Sequence, residues 1–214
     1  VAACALCAAA VVARVLLSAP HELNAAQTGT FAAVALLIAG QICTVQGACR
    51  GLLRVVDTFS LKVTEKQDFG EAVYEWNLVY AVCRRVSAAV QGCFFVMVLL
   101  GAAAVATGVV GYCQGAAGLN CIPNLVVGAG ALQTCLWTAS VTCKCSRVLP
   151  LVNSLRGNGY LDVDRMHAVQ HIAHSEAGFY IFETRVTSCA VVKALYVGCA
   201  VVVSFIVQFN AVVP

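Results

Sequence analysis

Residues 186–209 read VTSCAVVKALYVGCAVVVSFIVQF and follow the tripeptide Gly178-Phe179-Tyr180. The stretch is long and apolar enough to cross a bilayer as one helix. Unpaired polar groups are costly in hydrocarbon, so a polar stripe predicts a helix face that meets protein or water. Simple packing on neighbouring helices is an equally open interpretation. The stripe recurs at helical spacing and comprises Lys193, Ala200, Ser204 and Gln208, with Val197 and Gly198 beside them.

The composition indicates a membrane protein. Hydrophobic residues make up 61% of the chain and charged residues 11%, and the mean hydropathy is +0.86. A soluble domain carries about a quarter charged residues, so this chain cannot cover its surface with charge and needs the lipid bilayer as a partner. The formal net charge of +3 is small and no basic residues alternate with aromatic ones. Nucleic acid is therefore not a predicted partner.

The apolar segments predict an all-α fold, a polytopic membrane helix bundle that forms a single membrane domain over residues 1–214. The polar stretches 50–85 and 144–185 should form long cytoplasmic helical extensions. The first stretch has few helix-breaking residues beyond Gly51 and Gly70, and its pattern keeps helical spacing from Tyr74 into the third span. This predicts one long helix that enters the membrane without a loop. The second should break at Pro150 and again at residues 157–159. About five spans are predicted, at residues 1–17, 31–48, 86–112, 122–143 and 186–209.

The distribution of basic residues predicts the orientation. Every Lys and Arg except Arg14 and Lys193 falls in the two polar stretches, whereas residues 18–30 and 111–120 contain none. Because cytoplasmic loops are enriched in Lys and Arg, both polar stretches should face the cytoplasm and the C-terminus should lie outside. The chain begins at Val1 within an apolar run and without Met. We therefore expect either the C-terminal part of a longer polytopic protein or a truncated gene model.

Three histidines form the strongest candidate for a metal site. His167, His171 and His174 fall at helical spacing, with Glu176 nearby. Imidazoles on one helix face can bind a metal, but a polar helix surface at a subunit contact is the favoured interpretation, so no metal is predicted. Lys193 also has two interpretations: its stem can extend to the membrane interface, which is favoured, or its charge can serve a conduction path.

The cysteines give no clear site. Of the thirteen, most lie in apolar runs, where Cys behaves as a small apolar residue. Cys113 and Cys121 flank a short external loop and could pair there. The sequence Cys143-Lys144-Cys145 offers too few ligands for zinc. No catalytic residues and no cofactor are predicted, and the chain is not expected to be an enzyme.

The C-terminal segment resembles the signature of the insect gustatory and odorant receptor superfamily, which includes gustatory receptor-like proteins outside insects. In that signature a cytoplasmic helix leads to a Gly-Phe-Phe-like element, and the last helix closes with apolar residues before Gln-Phe. Here Gly178-Phe179-Tyr180 occupies the first position and residues 203–209 (VSFIVQF) the second. Residues 78–100 and 143–155 are similar to the family's fifth-helix entry and sixth-helix exit. Val201-Val202 departs from the Thr-Tyr that often precedes the apolar run.

This resemblance implies the last five helices of a seven-helix receptor that assembles from identical or related subunits, as a tetramer, into a ligand-gated cation channel. The seventh helices would line one pore, and cytoplasmic helix extensions would join the subunits. A small-molecule ligand would enter a pocket that opens from outside, in the plasma membrane. An apolar ring with polar side chains beyond it could gate the pore. The candidate pore-lining residues are Val197, Ala200, Ser204, Val207 and Gln208.

Two other functions are compatible with the sequence, a membrane transporter and a non-conducting membrane scaffold. A transporter is expected to show internal repeats and broken helices at the middle of the membrane. No repeat relates the two halves of the chain, and the glycines of the spans suit close helix packing equally well. The predicted function is therefore a channel subunit.

Overall fold

A computed structural model describes residues 25–113, 122–155 and 163–212, and these are mostly helical. The all-α class is thus correct, apart from one two-stranded hairpin. The elements in chain order are helices α1 (Ala25–Lys66), α2 (Phe69–Cys113), α3 (Ile122–Ser154) and α4 (Val163–Ser175), strands β1 (Tyr180–Ile181) and β2 (Thr184–Arg185), and helix α5 (Ser188–Val212).

Four of these helices, α1, α2, α3 and α5, are long and apolar enough to cross a membrane. This set of helices is compatible with a multi-pass membrane protein. The predicted spans 31–48, 86–112 and 122–143 fall within α1, α2 and α3, and α5 begins two residues after the start of the predicted span 186–209. The first predicted span, residues 1–17, lies outside the described residues, as does Cys121, so its pairing with Cys113 stays a prediction.

Helices α1 and α2 run far beyond their apolar segments. Helix α1 continues to Lys66, and α2 begins at Phe69 and runs to Cys113, which confirms one continuous helix from Tyr74 onward. The helices separate at Gln67 and Asp68, and Gln67 has a positive φ of 52°. Asp68 Oδ1 accepts a hydrogen bond of 3.0 Å from the Glu71 backbone N–H, which caps α2.

The expected break at Pro150 is wrong, because α3 continues through this residue to Ser154. Proline costs a helix one backbone hydrogen bond. Here Val148 and Val152, on either side of Pro150, are 2% and 0% exposed. Burial of these two side chains stabilises α3 at a position where the proline alone would favour the end of the helix. Residues 157–159 lie outside the described chain.

The chain divides into two compact units. The first, which we call the extension unit, contains Gln46–Gln91 and Leu136–Ala190. Its core includes Trp76, which is 1% exposed, lies 5.0 Å from the Phe59 ring between centroids, and donates from Nε1 to Ser175 Oγ at 2.6 Å. Ion pairs join Lys62 to Glu75 and Lys66 to Glu71 at 2.7 and 3.0 Å, and close the α1–α2 turn.

The second unit, which we call the span unit, contains Val1–Val45, Gly92–Cys135 and Val191–Pro214. Here α2 and α3 approach closely at two glycines. A Cβ added to Gly101 would lie 2.6 Å from Ala131 Cβ, and one added to Gly128 would overlap Val105 Cγ2. Small residues allow such backbone approach between membrane helices.

Replacing Asp68 by Ala tests the α2 cap. We expect the substitution to lower the free energy of unfolding by about 1 kcal/mol, because the first turn of α2 loses its acceptor. Thermal unfolding of the purified full-length protein in detergent measures the effect. Asp68→Asn is the control, since it keeps a side-chain oxygen at the cap. Equal melting temperatures for Asp68→Ala and the wild type would contradict the assignment.

Candidate pore-lining helix and its anchor

One face of α5 carries the candidate pore-lining residues. Val197 and Val207 are 65% and 62% exposed, and Ala200, Ser204 and Gln208 are exposed as well. A shallow surface groove runs along the helix, and the described residues that line it all belong to α5. Val207 lies on the flank, outside the groove. Thus four of the five candidates come together with Val201 as the lining of this groove: Val197, Ala200, Ser204 and Gln208.

The opposite face of α5 is less exposed. Val191 is 9% exposed, and Val202 and Ile206 are half-buried. At 100° per residue these three positions lie across the helix from Ser204 and Gln208. The polar face is therefore the more exposed side of α5.

Helix α5 is also the least covered of the four long apolar helices. Only 6% of its most apolar stretch is buried within the described residues, against 22–44% for the stretches in α1, α2 and α3. Its mean hydropathy over that stretch is 2.3. A helix this apolar needs lipid or another protein around it, because water would not solvate it.

Lys193 is exposed and falls on the same helix face, one turn before Val197. Its place near the start of α5 suits a side chain that extends to the membrane interface. The same place would also put a positive charge at one end of the groove. Both interpretations of this residue stay open.

The tripeptide before α5 forms a buried anchor within the extension unit. Phe179 is 0% exposed, its N–H donates to Thr142 Oγ1 at 3.0 Å, and its carbonyl accepts from Val186 N at 2.9 Å. The Tyr180 N–H donates to Ser87 Oγ at 3.1 Å. Side-chain hydroxyls of α2 and α3 thus satisfy backbone donors that would otherwise be buried without partners.

Arg185 closes the anchor from the other strand of the hairpin. Its Nη2 donates to the Ala177 carbonyl at 2.8 Å and to Ser146 Oγ at 3.1 Å. A Cβ added to Gly178 would lie 2.9 Å from Arg185 Nε and 3.0 Å from Thr142 Oγ1. Because Gly178 is enclosed on two sides, glycine is the residue that fits without displacing the anchor.

The hairpin itself was not predicted. Tyr180 pairs with Arg185 and Ile181 with Thr184 across a two-residue turn. The turn residues have φ of 45° and 64°, as a tight hairpin requires, although this turn type favours Asn-Gly. The sequence Phe182-Glu183 carries no such signal, so sequence reasoning missed the element.

Arg84 of α2 holds the hairpin by two contacts. Its Nη1 forms an ion pair of 2.8 Å with Glu183 Oε2, and its guanidinium lies 4.2 Å from the centre of the Tyr180 ring. The Tyr180 hydroxyl donates to the Glu176 carbonyl. Burial raises the pKa of the Tyr180 phenol, although Arg185 and Arg84 act in the other direction. The phenol is thus kept protonated, as a donor, at neutral pH.

The three histidines of α4 do not converge. The rings of His167 and His171 stack with centroids 6.4 Å apart, His171 Nε2 lies 2.7 Å from Asn77 Oδ1, and His174 Nδ1 contacts the Gln170 carbonyl at 2.7 Å. Across residues 25–113, 122–155 and 163–212, no three His, Cys, Asp or Glu side chains come close enough to hold a metal ion. Cys145 is buried in the extension unit.

Comparisons with protein-family models, curated proteins and solved structures find no match to this chain. The resemblance to the gustatory and odorant receptor superfamily therefore rests on the short motifs of the sequence.

Replacing Thr142 by Val tests the anchor. We expect a loss of about 1–3 kcal/mol in the free energy of unfolding, because the buried Phe179 N–H loses its acceptor while side-chain volume is kept. Thr142→Ser is the matched control, since it keeps the hydroxyl. Chemical denaturation of the full-length protein in detergent, followed by Trp fluorescence, gives the comparison. If Thr142→Val is as stable as Thr142→Ser, the hydrogen bond does not support the anchor.

Proposed function

We propose that this chain is a subunit of a gustatory receptor-like, ligand-gated cation channel whose pore is lined by α5. One observation carries the proposal: Ser204 and Gln208 lie in an open groove on the exposed face of α5. Unpaired polar groups in hydrocarbon are costly. Identical or related subunits around an axis, with water between them, would satisfy this face.

The groove has the chemical character of a pore wall. Val197, Ala200 and Val201 supply its apolar part, and Ser204 and Gln208 supply polar groups toward the C-terminal end. An apolar constriction gates by dewetting, and polar side chains beyond it contact ions once water enters. The order of these residues along α5 supports a gate followed by a polar mouth.

The remaining parts of the proposal come from the resemblance and from charge. Five spans and an external C-terminus agree with the Lys and Arg distribution, whereas the tetramer and the plasma-membrane location come from the resemblance. The extension unit has long helices and a buried anchor, and we expect it to form the contacts between subunits. The ligand would be a small molecule that enters from outside.

Substitutions on the groove face test the pore. We expect Gln208→Glu to raise the permeability of divalent over monovalent cations and Gln208→Lys to reduce cation currents, because a charge at the pore mouth acts directly on passing ions. Reversal potentials of the full-length protein in planar bilayers or oocytes, under a screen of small molecules, measure selectivity.

Val203→Gln is the control for these variants. Val203 is 59% exposed and lies outside the groove, so an amide there should leave the reversal potential unchanged. Intact currents with unaltered selectivity in both Gln208 variants would remove α5 from the pore. Absence of current under every ligand and potential would favour a transporter or scaffold instead.

A further inference from the structure

A second groove lies in the extension unit, between α1 and α3. It encloses about 370 Å³, a volume within the range of small-molecule sites. Leu53 and Leu151 provide apolar walls, and Ser60, Ser140, Lys144 and Arg147 provide polar ones. The groove is thus amphipathic rather than a gap between two apolar surfaces.

Arg147 supplies the free donors of the groove. Ser60 Oγ and Ser140 Oγ already donate to the carbonyls of Val56 and Leu136 at 2.9 and 2.8 Å. Arg147 is exposed and forms no hydrogen bond or ion pair with any residue that the structure describes. A guanidinium presents several N–H groups in a planar fork that matches phosphate oxygens.

The charges around the groove are mostly positive. Lys144 Nζ forms an ion pair of 2.5 Å with Asp57 Oδ1, with the two side chains 35% and 59% exposed. About two turns earlier on each helix, the Arg50 guanidinium lies 5.5 Å from the centre of the Trp137 ring. Arg50, Lys144 and Arg147 together outweigh the single carboxylate, so an anion is attracted to this position.

The sequence places these cations at the edge of the membrane. Arg50 is the first basic residue after the apolar segment of α1, and Lys144 and Arg147 are the first after that of α3. Lys144 and Arg147 follow the apolar segment of α3 within four residues, which is about 6 Å of helix, so their side chains reach the headgroup layer where that segment leaves the bilayer. Trp137, on the apolar side of Lys144, suits the same interface.

We propose that the α1–α3 groove binds the phosphate of an anionic lipid of the cytoplasmic leaflet. Arg147 and Lys144 hold the phosphate oxygens, and Leu53 and Cys143, on the membrane side of Arg147, contact the glycerol and the first carbons of the acyl chains. Basic pockets between membrane helices on the cytoplasmic side recognise lipid headgroups in this way. The site requires a multi-pass membrane protein but does not depend on ion conduction. The lipid site and the channel can therefore be tested, and rejected, independently.

Lipid retention by the full-length protein tests the site. The protein is reconstituted in phosphatidylcholine nanodiscs with and without a minor fraction of phosphatidic acid, and retained lipid is measured by native mass spectrometry after detergent extraction. We expect wild-type protein to retain phosphatidic acid over phosphatidylcholine. Arg147→Gln should weaken retention about fivefold, because one charge near the headgroup is lost.

Two further variants make the test specific. Asp57→Asn should strengthen retention, because it releases Lys144 from its carboxylate; a change in folding alone would not produce a gain. Arg85→Gln is the matched control, since Arg85 lies next to the predicted third span on α2 and outside the groove lining. It should retain phosphatidic acid as the wild type does.

Three results would overturn the proposal. Equal losses in Arg85→Gln and Arg147→Gln would indicate general attraction between basic protein and acidic lipid. Displacement of the lipid by inorganic phosphate at equal concentration would indicate a site for free anions. Unchanged retention in Arg147→Gln, together with loss of oligomer in light scattering, would show that another subunit covers the groove.

Discussion

Two hydroxyl groups hold the connection on which the last helix depends. Thr142 Oγ1 and Ser87 Oγ accept hydrogen bonds from the backbone of Phe179 and Tyr180. A chain that leaves a helix loses its internal hydrogen bonds, and in a buried place it must find others. Here α2 and α3 provide them, so the chain can bury Phe179, turn through a hairpin and begin α5.

Buried polar groups need hydrogen-bond partners, and this requirement explains a contrast between the anchor and α5. In the extension unit most polar groups of the anchor have a partner: Arg185 Nη2 donates to the Ala177 carbonyl and to Ser146 Oγ, although the buried Arg185 Nε has no partner among the described residues. On α5, Ser204 and Gln208 remain exposed on an otherwise apolar helix. Polar side chains that have no partner on an apolar helix need water or another chain to form hydrogen bonds with them.

Both proposed sites use polar groups that the apolar pattern alone would not explain. The groove of α5 combines small apolar residues with a hydroxyl and an amide, which suits hydrated ions. The α1–α3 groove combines leucines with Arg147 and Lys144, which suits a phosphate attached to a hydrocarbon chain. Ions need weak, multiple contacts to pass, whereas a charge-assisted hydrogen bond retains its ligand.

The sequence by itself determined the helical class, the apolar segments, the continuity of α2 and the polar stripe of α5, because these follow from local hydrophobicity and helical period. It could not determine the helical path through Pro150, which depends on burial of Val148 and Val152, or the Phe182-Glu183 hairpin, which lacks the usual turn residues. Likewise, the pairing of Thr142 with Phe179 joins residues far apart in sequence. Only tertiary packing brings such groups together, and no local pattern encodes it.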